Sequence, residues 1–286
     1  SLRPGPAMLY FPQNNRSRLE LPKARLVVAL ALAFFIDFVK AEPEEVVVVG
    51  TALNKLVTHV SGIVSVNRDN QIARWNSSLC LRIEGLPSQQ QRILRDRVAD
   101  ASSKVRISVL DEGCAENVLL FFASDAGRVS QQLARHYEIP LRQDSNVRVQ
   151  DFMESPAPVR WINTYDRCGF GCRLANSRIT ASSAPAVDFM LIVVDVTQAQ
   201  GRYFQDIADY VAFVILANPS PQSKPAVESV LRLFDTAPKA ATMGGISIYD
   251  QVYLDALYSV PMDRYIDGQR NAISSLMLTQ LNSLQQ

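Results

Sequence analysis

The sequence predicts an α+β fold with a mixed sheet, packed helices and a mainly helical C-terminal part. Two observations carry this prediction. Alternating or β-branched apolar segments occur in the middle of the chain, at 104–110, 117–123, 159–165 and 187–196. Between and after them, apolar residues recur every three or four positions, as they do in amphipathic helices. Two strands followed by a helix over 104–136 favour an α+β layer over a βα repeat.

The first 41 residues have the layout of a secretory signal peptide. Lys23 and Arg25 precede an unbroken apolar run of 11 residues at 26–36, and acidic residues follow Ala41. A helix needs roughly 20 apolar residues to cross a bilayer, so this run is short for a membrane anchor, which is the alternative. We expect a periplasmic or secreted chain that contacts a membrane only through this leader if the leader is not cleaved.

The charge of the chain after the leader argues against nucleic-acid binding. The leader contains six of the 29 Lys and Arg residues and two of the 28 Asp and Glu residues, which leaves 23 basic and 26 acidic side chains and a net charge of −3. No basic stripe remains that could neutralise phosphates. The expected partner is a protein or a small molecule of the cell envelope.

The chain after the leader divides best at the Ser-Pro-Ala-Pro segment 155–158. This gives an N-terminal α+β half at 42–154 and a C-terminal half at 155–286, with a single domain as the alternative. In the first half, the β-branched segment from Glu44 to Thr51 indicates a short strand or a tethering arm. Helices are predicted at 54–59 (weakly), 71–80, 89–102 and 125–136.

The C-terminal half is predicted to begin with strands and to continue with helices. The segment 187–196 is the most apolar strand candidate and should lie in the centre of the sheet. Four helices should follow, at 201–217, 225–234, 247–257 and 267–284. Ser247 and Asp250 form a start that resembles a capping box.

Four cysteines follow the leader, and three disulfide connectivities are formally possible. We favour Cys80 with Cys114 and Cys168 with Cys172, because the glycines at 169 and 171 allow the tight bend of a short loop. The C-x3-C spacing and the presence of only two histidines argue against a zinc site, so no metal and no other cofactor is expected. A thiol redox protein is an alternative that would need an exposed, reducible pair.

The sequence lacks the common catalytic motifs. The sequence has no G-x-S-x-G, no Gly-rich phosphate loop and no H-E-x-x-H. His59 lies in a polar, weakly helical stretch without a visible partner. His136 lies near a helix end, where the helix dipole favours a protonated imidazole.

A carboxylate cluster gives an alternative, catalytic interpretation. Asp206 and Asp209 are three positions apart and share one face of the predicted helix at 201–218. Asp250 and Tyr253 share a face of the helix at 247–258. If the two helices face each other, these four residues could form the site of a hydrolase. The main hypothesis is instead a non-catalytic binding or interaction domain, in which the same carboxylates cap and solvate helices.

The segment 187–261 carries a resemblance to known families. An apolar strand leads into Ile-Ala-Asp-Tyr-Val-Ala at 207–212, and Ser-Val-Leu-Arg-Leu-Phe at 229–234 precedes Ser-Ile-Tyr-Asp-Gln-Val-Tyr-Leu-Asp-Ala-Leu-Tyr-Ser at 247–259. This resembles an uncharacterised group of exported alphaproteobacterial proteins and, more distantly, the end of zincin-like metallopeptidase domains. The helix at 201–218 contains neither His nor Glu, so the resemblance implies a pseudo-enzyme that keeps the scaffold, and no catalytic residue carries over.

Overall fold

The computed structural model describes residues 45–137, 149–173, 177–235 and 245–284, with the backbone alone for 45–49. The predicted signal peptide lies outside these residues. Within them, no helix has both the length and the apolar character that a membrane span requires.

A five-stranded sheet forms the centre of the fold. Its strands are β1 (Arg74–Trp75), β2 (Leu81–Glu84), β3 (Val118–Ala123), β4 (Val159–Asp166) and β5 (Ala186–Asp195). β4 runs antiparallel to β5 along one edge of that strand, and β1 and β3 pair with it in parallel. β2 continues the sheet in parallel beyond β3. The prediction that 187–196 forms the central strand is therefore confirmed.

Helices cover both faces of the sheet. They are α1 (Glu45–Ile63), α2 (Ser88–Lys104), α3 (Ala126–His136), α4 (Val149–Glu154), α5 (Phe204–Ala217), α6 (Ile248–Ser259) and α7 (Ile266–Ser283), with a 3-10 helix at Val230–Phe234. On one face, Leu119, Ile162 and Leu191 pack in a small cluster with residues of α3 and α4. The opposite face carries the large core, to which α1, α2, α5, α6 and α7 contribute.

This architecture confirms the α+β prediction, with a mixed sheet and a helical C-terminal part. One detail differs from the expected order of elements. β2, α2 and β3 form a strand–helix–strand unit with parallel strands, which is a βα repeat. The sequence interpretation missed it because it did not include a strand at β2.

The sheet continues across the boundary that the sequence suggested at 154/155. β3, which precedes that position, and β5, which follows it, are paired over six residues. The described residues from Val46 onward form one compact unit.

The prediction of a strand or tethering arm at Glu44–Thr51 is wrong where the structure describes it, because α1 begins at Glu45. The helix continues to Ile63, and its buried side chains Leu56, His59, Val60 and Ile63 have helical spacing. The β-branched valines at 46–49 suggested a strand. Helix propensity differences are less than about 1 kcal/mol per residue, so packing of the following turns outweighs them.

The predicted helix at 71–80 is also wrong. All residues from Gln71 to Trp75 are buried, which an extended chain inside the fold achieves and a surface helix does not. The Gln71 side-chain amide holds this segment by donating to the carbonyls of Ser183 (2.9 Å) and Met262 (2.8 Å). The apolar residues of this segment have helical spacing, but here they are buried because an extended chain is packed on both sides.

The predicted strand at 104–110 is largely absent. α2 extends to Lys104, Arg106 adopts a left-handed conformation (φ 62°), and only an isolated bridge joins Leu79 to Val109. At 225–234, a 3-10 helix of five residues replaces the predicted helix. The helices predicted at 89–102, 125–136, 201–217, 247–257 and 267–284 are confirmed.

Both favoured disulfide pairs are present in the structure. Cys80 is bonded to Cys114, which ties the start of β2 to the loop before β3. Cys168 is bonded to Cys172, which closes a short loop after β4. Such bonds are typical of proteins that fold in an oxidising compartment.

Candidate functional site

A cleft of 620 Å³ lies at the end of the sheet where β5 finishes and β4 begins. We call it the sheet-edge cleft. Its walls are the chain that leaves α1, the helix α4 with the segment that leads into β4, and the loop after α5. Its apolar lining consists of Val64, Val66, Phe152, Pro156, Ala157, Val159, Trp161 and Pro221, and its polar lining of Ser65, Asp151, Glu154, Ser155, Arg160, Ser220 and Gln222.

Hydrogen bonds fix the walls of the sheet-edge cleft to one another. The Trp161 indole donates to the carbonyl of Pro219 (3.1 Å), and the Ser220 amide donates to the carbonyl of Ile63 (2.8 Å). A methyl group on Gly62 would lie 2.4 Å from the carbonyl oxygen of Lys224, so only glycine permits this approach. The cleft is therefore largely preformed, as binding cavities generally are.

Arg160 is the buried charge of the sheet-edge cleft. Its side chain is only 6% exposed, and one guanidinium nitrogen donates to the carbonyl of Ala157 (3.3 Å). Burial lowers the pKa of Arg160, and the carboxylates of Asp195 and Asp125 oppose this effect. The carboxylates that stabilise its charge lie near the carboxyl ends of β3 and β5, and its Nε is buried without a hydrogen-bond partner in the described residues.

Asp195 ends β5 and supports this arrangement. Burial disfavours its charged form, but hydrogen bonds from Thr197 and Gln198 outweigh burial and lower its pKa. The distances from the Asp195 carboxylate to the Thr197 amide and to Gln198 Nε2 are both 2.9 Å. The Asp195 carboxylate therefore remains charged beside Arg160, inside the fold.

Asp151 and Glu154 are the acidic residues that line the sheet-edge cleft. Asp151 is half-buried and Glu154 is exposed, and both line the cleft. Asp151 already has a partner within the protein, so Glu154, which accepts a hydrogen bond from Gln150, is the exposed carboxylate that an entering ligand would meet. The arrangement can bind a molecule that combines an apolar part with a positively charged group.

The carboxylates predicted for a hydrolase site lie elsewhere. Asp206 and Asp209 are both buried on α5, whose surface packs against α2. Asp209 faces Arg97 of α2, with 3.6 Å between the guanidinium and the carboxylate. Burial raises the pKa of Asp209, Arg97 opposes this, and Asp206 adds to the increase. The two residues thus belong to a helix–helix contact, and neither lines the sheet-edge cleft.

Asp250 and Tyr253 have other partners. Asp250 is fully buried and closes the capping box that the sequence predicted at the start of α6. It also accepts hydrogen bonds from the hydroxyl of Ser229 and the amide of Val230. Tyr253 packs in the core, with its ring centroid 6.4 Å from that of His59. Neither of them lines the sheet-edge cleft, and no group of three or more potential metal ligands occurs in the described residues.

The two histidines differ in environment. His136 is exposed at the last position of α3, as expected for a residue at a helix end. His59 is fully buried, and neither of its ring nitrogens has a hydrogen-bond partner in the described part of the chain. Burial, assisted by the positive charge of Arg232, lowers the pKa of His59 to about 4.

The His59 environment predicts a loss of stability in acid. In the unfolded chain the imidazole binds a proton below pH 6.5, whereas in the folded chain it does so only near pH 4. Between these values the unfolded state holds more protons, so the free energy of unfolding decreases as the pH is lowered. At pH 4 the decrease relative to neutral pH is roughly 3 kcal/mol. His59→Leu should remove this part of the pH dependence in urea unfolding, and His136→Leu should keep it. An unchanged slope in His59→Leu would contradict this explanation.

The sequence interpretation did not identify the residues of the sheet-edge cleft. Arg160 lies between Val159 and Trp161 in a strand that was correctly predicted, but alternation alone places such a residue in solvent. An exposed residue of a half-buried strand also has large apolar neighbours, so no local signal marks the burial of Arg160. Local sequence patterns could not predict that the segments 64–66, 151–161 and 220–222 contact one another to form the cleft.

Comparisons of the chain with protein-family models, with curated proteins and with solved structures found no match. The resemblance to exported alphaproteobacterial proteins and to zincin-like domains therefore stays a prediction.

Proposed function

We propose that this chain is a non-catalytic binding domain of the cell envelope, periplasmic or secreted, that holds its ligand in the sheet-edge cleft. The two disulfides support the compartment, since such bonds persist where the surroundings are oxidising. The observation that carries the proposal is the cleft itself, a preformed cavity of 620 Å³ at the carboxyl end of the central strand.

Position and size both support ligand binding. In sheets with parallel strands, ligands occupy crevices outside the carboxyl ends of the strands. Binding cavities for small molecules commonly measure about 300–1,000 Å³ and combine apolar walls with a few polar groups. Val66, Pro156 and Pro221 supply apolar lining that is not buried, and Glu154 supplies an exposed charge.

The ligand class follows from this lining. We infer a small molecule or short peptide segment with an apolar body and a basic group that would pair with the exposed carboxylate of Glu154. Asp209 and Asp250 keep structural roles under this proposal, because an ion pair with Arg97 accounts for the first and a capping box for the second.

Calorimetric titration with two matched peptides tests the proposal. The probes are Ala-Leu-Lys and Ala-Leu-Glu, each acetylated and amidated so that only the side-chain charge differs. We expect the lysine peptide to bind and the glutamate peptide to bind about two- to fivefold more weakly, since an exposed ion pair contributes about 0.2–1 kcal/mol.

Variants assign the binding to the sheet-edge cleft. The double variant Asp151→Asn, Glu154→Gln should reduce the difference between the two peptides to less than about twofold. Asp96→Asn, on the exposed surface of α2, is the matched control and should leave the difference unchanged. Equal affinity of both peptides for the original protein, or an unchanged preference in the double variant, would contradict the proposal.

A further inference from the structure

A second cavity lies at the opposite end of the central strand. It measures 380 Å³ and is bordered by the Cys168–Cys172 loop, by the segment before β5 and by the residues after α6. β5 pairs with β1 at Ala186 and Val187, whereas the β4 residues that line the sheet-edge cleft, Val159 to Trp161, pair with β5 at Ile192 to Val194. The stretch of β5 between these positions separates the two cavities by about 20–25 Å. We call the second one the arginine cavity.

Arg74 of β1 lines the arginine cavity and is stacked between two aromatic rings. Its guanidinium carbon lies 5.3 Å from the centre of the Phe170 ring and 5.4 Å from that of Tyr258. The Tyr258 hydroxyl donates to the carbonyl of Leu216 (3.1 Å), which fixes that ring. Two rings hold the guanidinium plane in place, a geometry in which cation–π attraction is effective.

The charge of Arg74 is not balanced within the described part of the protein. Only 8% of the residue is exposed, and Nη1 is buried without a hydrogen-bond partner. No salt bridge in the described residues involves Arg74, whereas the neighbouring Arg173 pairs with Asp263 at 2.7 Å. A buried charge generally requires a paired group of opposite sign. Burial lowers the pKa of Arg74 to about 10, so the side chain is still a cation at neutral pH.

The walls of the arginine cavity are held together by backbone hydrogen bonds. The Phe170 amide donates to the carbonyl of Ala184 (2.9 Å), and the Arg173 amide donates to that of Ser182 (2.8 Å). The Cys168–Cys172 disulfide closes the same loop. A methyl group on Gly169 would lie 2.2 Å from the Ala186 side chain, so glycine allows the loop to contact the start of β5. The guanidinium is therefore held in a prepared position.

We propose that the arginine cavity binds a small carboxylic acid whose carboxylate pairs with Arg74. A carboxylate can accept two parallel hydrogen bonds from a guanidinium, which supplies the missing opposite charge and acceptors. The remaining lining includes Val260, Pro261 and Met262, which favour an apolar body on the ligand. The site is separate from the sheet-edge cleft and does not depend on the function proposed for it.

Two sources of the carboxylate are chemically equivalent at Arg74, namely a free organic acid and the C-terminus of a peptide. Hexanoate represents the first, and the tripeptide Gly-Ala-Leu with a free C-terminus represents the second. Hexanamide and the amidated tripeptide are the matched uncharged probes. Thermal unfolding of the full chain is measured over a concentration series of each probe, because a ligand that binds the folded state raises the melting temperature.

We expect at least one carboxylate probe to raise the melting temperature in a saturable manner, with its amide having no effect. Arg74→Met should abolish the shift, and Arg74→Lys should weaken apparent binding at least fivefold, because lysine retains the charge without the planar pair of donors. Arg202→Met is the control, since Arg202 also stacks on a ring, Phe234 at 4.8 Å, and does not line the arginine cavity.

The behaviour of the variants without ligand is a second readout. Arg74→Met removes an unbalanced buried charge, so its melting temperature without ligand should equal or exceed that of the original protein. If Arg74→Met does not fold, the ligand-induced shift in melting temperature is compared between Arg74→Lys and Arg202→Met. A weaker shift in Arg74→Lys alone would support binding at Arg74. No shift with either carboxylate, or an equal shift in the Arg74 variants, would overturn the proposal.

Discussion

Replacing Asp250 with alanine should lower the free energy of unfolding by roughly 3–5 kcal/mol. The carboxylate is fully buried and accepts from the Ser229 hydroxyl (2.6 Å), the Val230 amide (2.7 Å) and the Ser247 amide (3.0 Å). Alanine would leave three buried donors without an acceptor, and each such group costs about 1–3 kcal/mol.

Part of this cost is offset in the Asp250→Ala variant. Burial raises the pKa of Asp250, and hydrogen bonds from Ser229, Val230 and Ser247 oppose the increase. The carboxylate therefore has a desolvation cost of its own that the variant avoids, and the expected value is below the sum of the three lost bonds. Urea unfolding at neutral pH measures the difference.

The matched control is Asp255→Ala on the same helix. Asp255 is half-buried and accepts from the side chain of Gln251 (3.1 Å), so its loss should cost less than about 1 kcal/mol. Asp250→Asn should fall between the two alanine variants, because the carboxamide oxygen can still accept from the Val230 and Ser247 amides while its NH2 group faces the Ser229 hydroxyl. Similar losses for Asp250→Ala and Asp255→Ala would contradict the assigned role of Asp250.

Removal of the Cys80–Cys114 disulfide should be the second large effect. The bond joins residues 34 positions apart, and the loop-entropy relation gives about 4 kcal/mol for a loop of this length. The Cys168–Cys172 bond joins residues four positions apart, for which the same relation gives about 2 kcal/mol.

The two double variants, Cys80→Ala with Cys114→Ala and Cys168→Ala with Cys172→Ala, serve as controls for each other. Denaturant unfolding should rank the first as the less stable by about 2 kcal/mol. The reverse order would mean that native contacts of the short loop, and not the length of the closed chain, determine the contribution of each bond.

The fold was predictable where one local signal dominated. The helix at 247–257 combined helical spacing with a capping box, and the structure contains both. Residues 187–196 formed a long apolar run, and β5 is the strand that β1, β3 and β4 all join. In contrast, Ile72 and Trp75 have helical spacing in an extended chain that is buried on all sides, so their period was misleading.

The candidate sites were less predictable, because they depend on contacts between distant segments. Arg160 and Arg74 are arginines in strands, and nothing in their neighbours distinguishes a buried guanidinium from an exposed one. Their burial follows from loops that approach them from elsewhere in the chain, at 219–222 and at 168–172. His59 lies in a stretch that the sequence indicates is polar and weakly helical, and its burial likewise arises from packing of α1 in the core.

The measurement that tests the central claim most directly is a ¹H–¹⁵N spectrum of the two tryptophan indoles during titration with the acetylated, amidated Ala-Leu-Lys peptide. Trp161 lines the sheet-edge cleft, whereas Trp75 lies in the core and donates its indole hydrogen to Ile215 (2.8 Å). Binding in the sheet-edge cleft should shift the Trp161 signal and leave the Trp75 signal in place. A shift of Trp75 alone, or of neither indole at saturating peptide, would contradict the proposal that this cleft is the binding site.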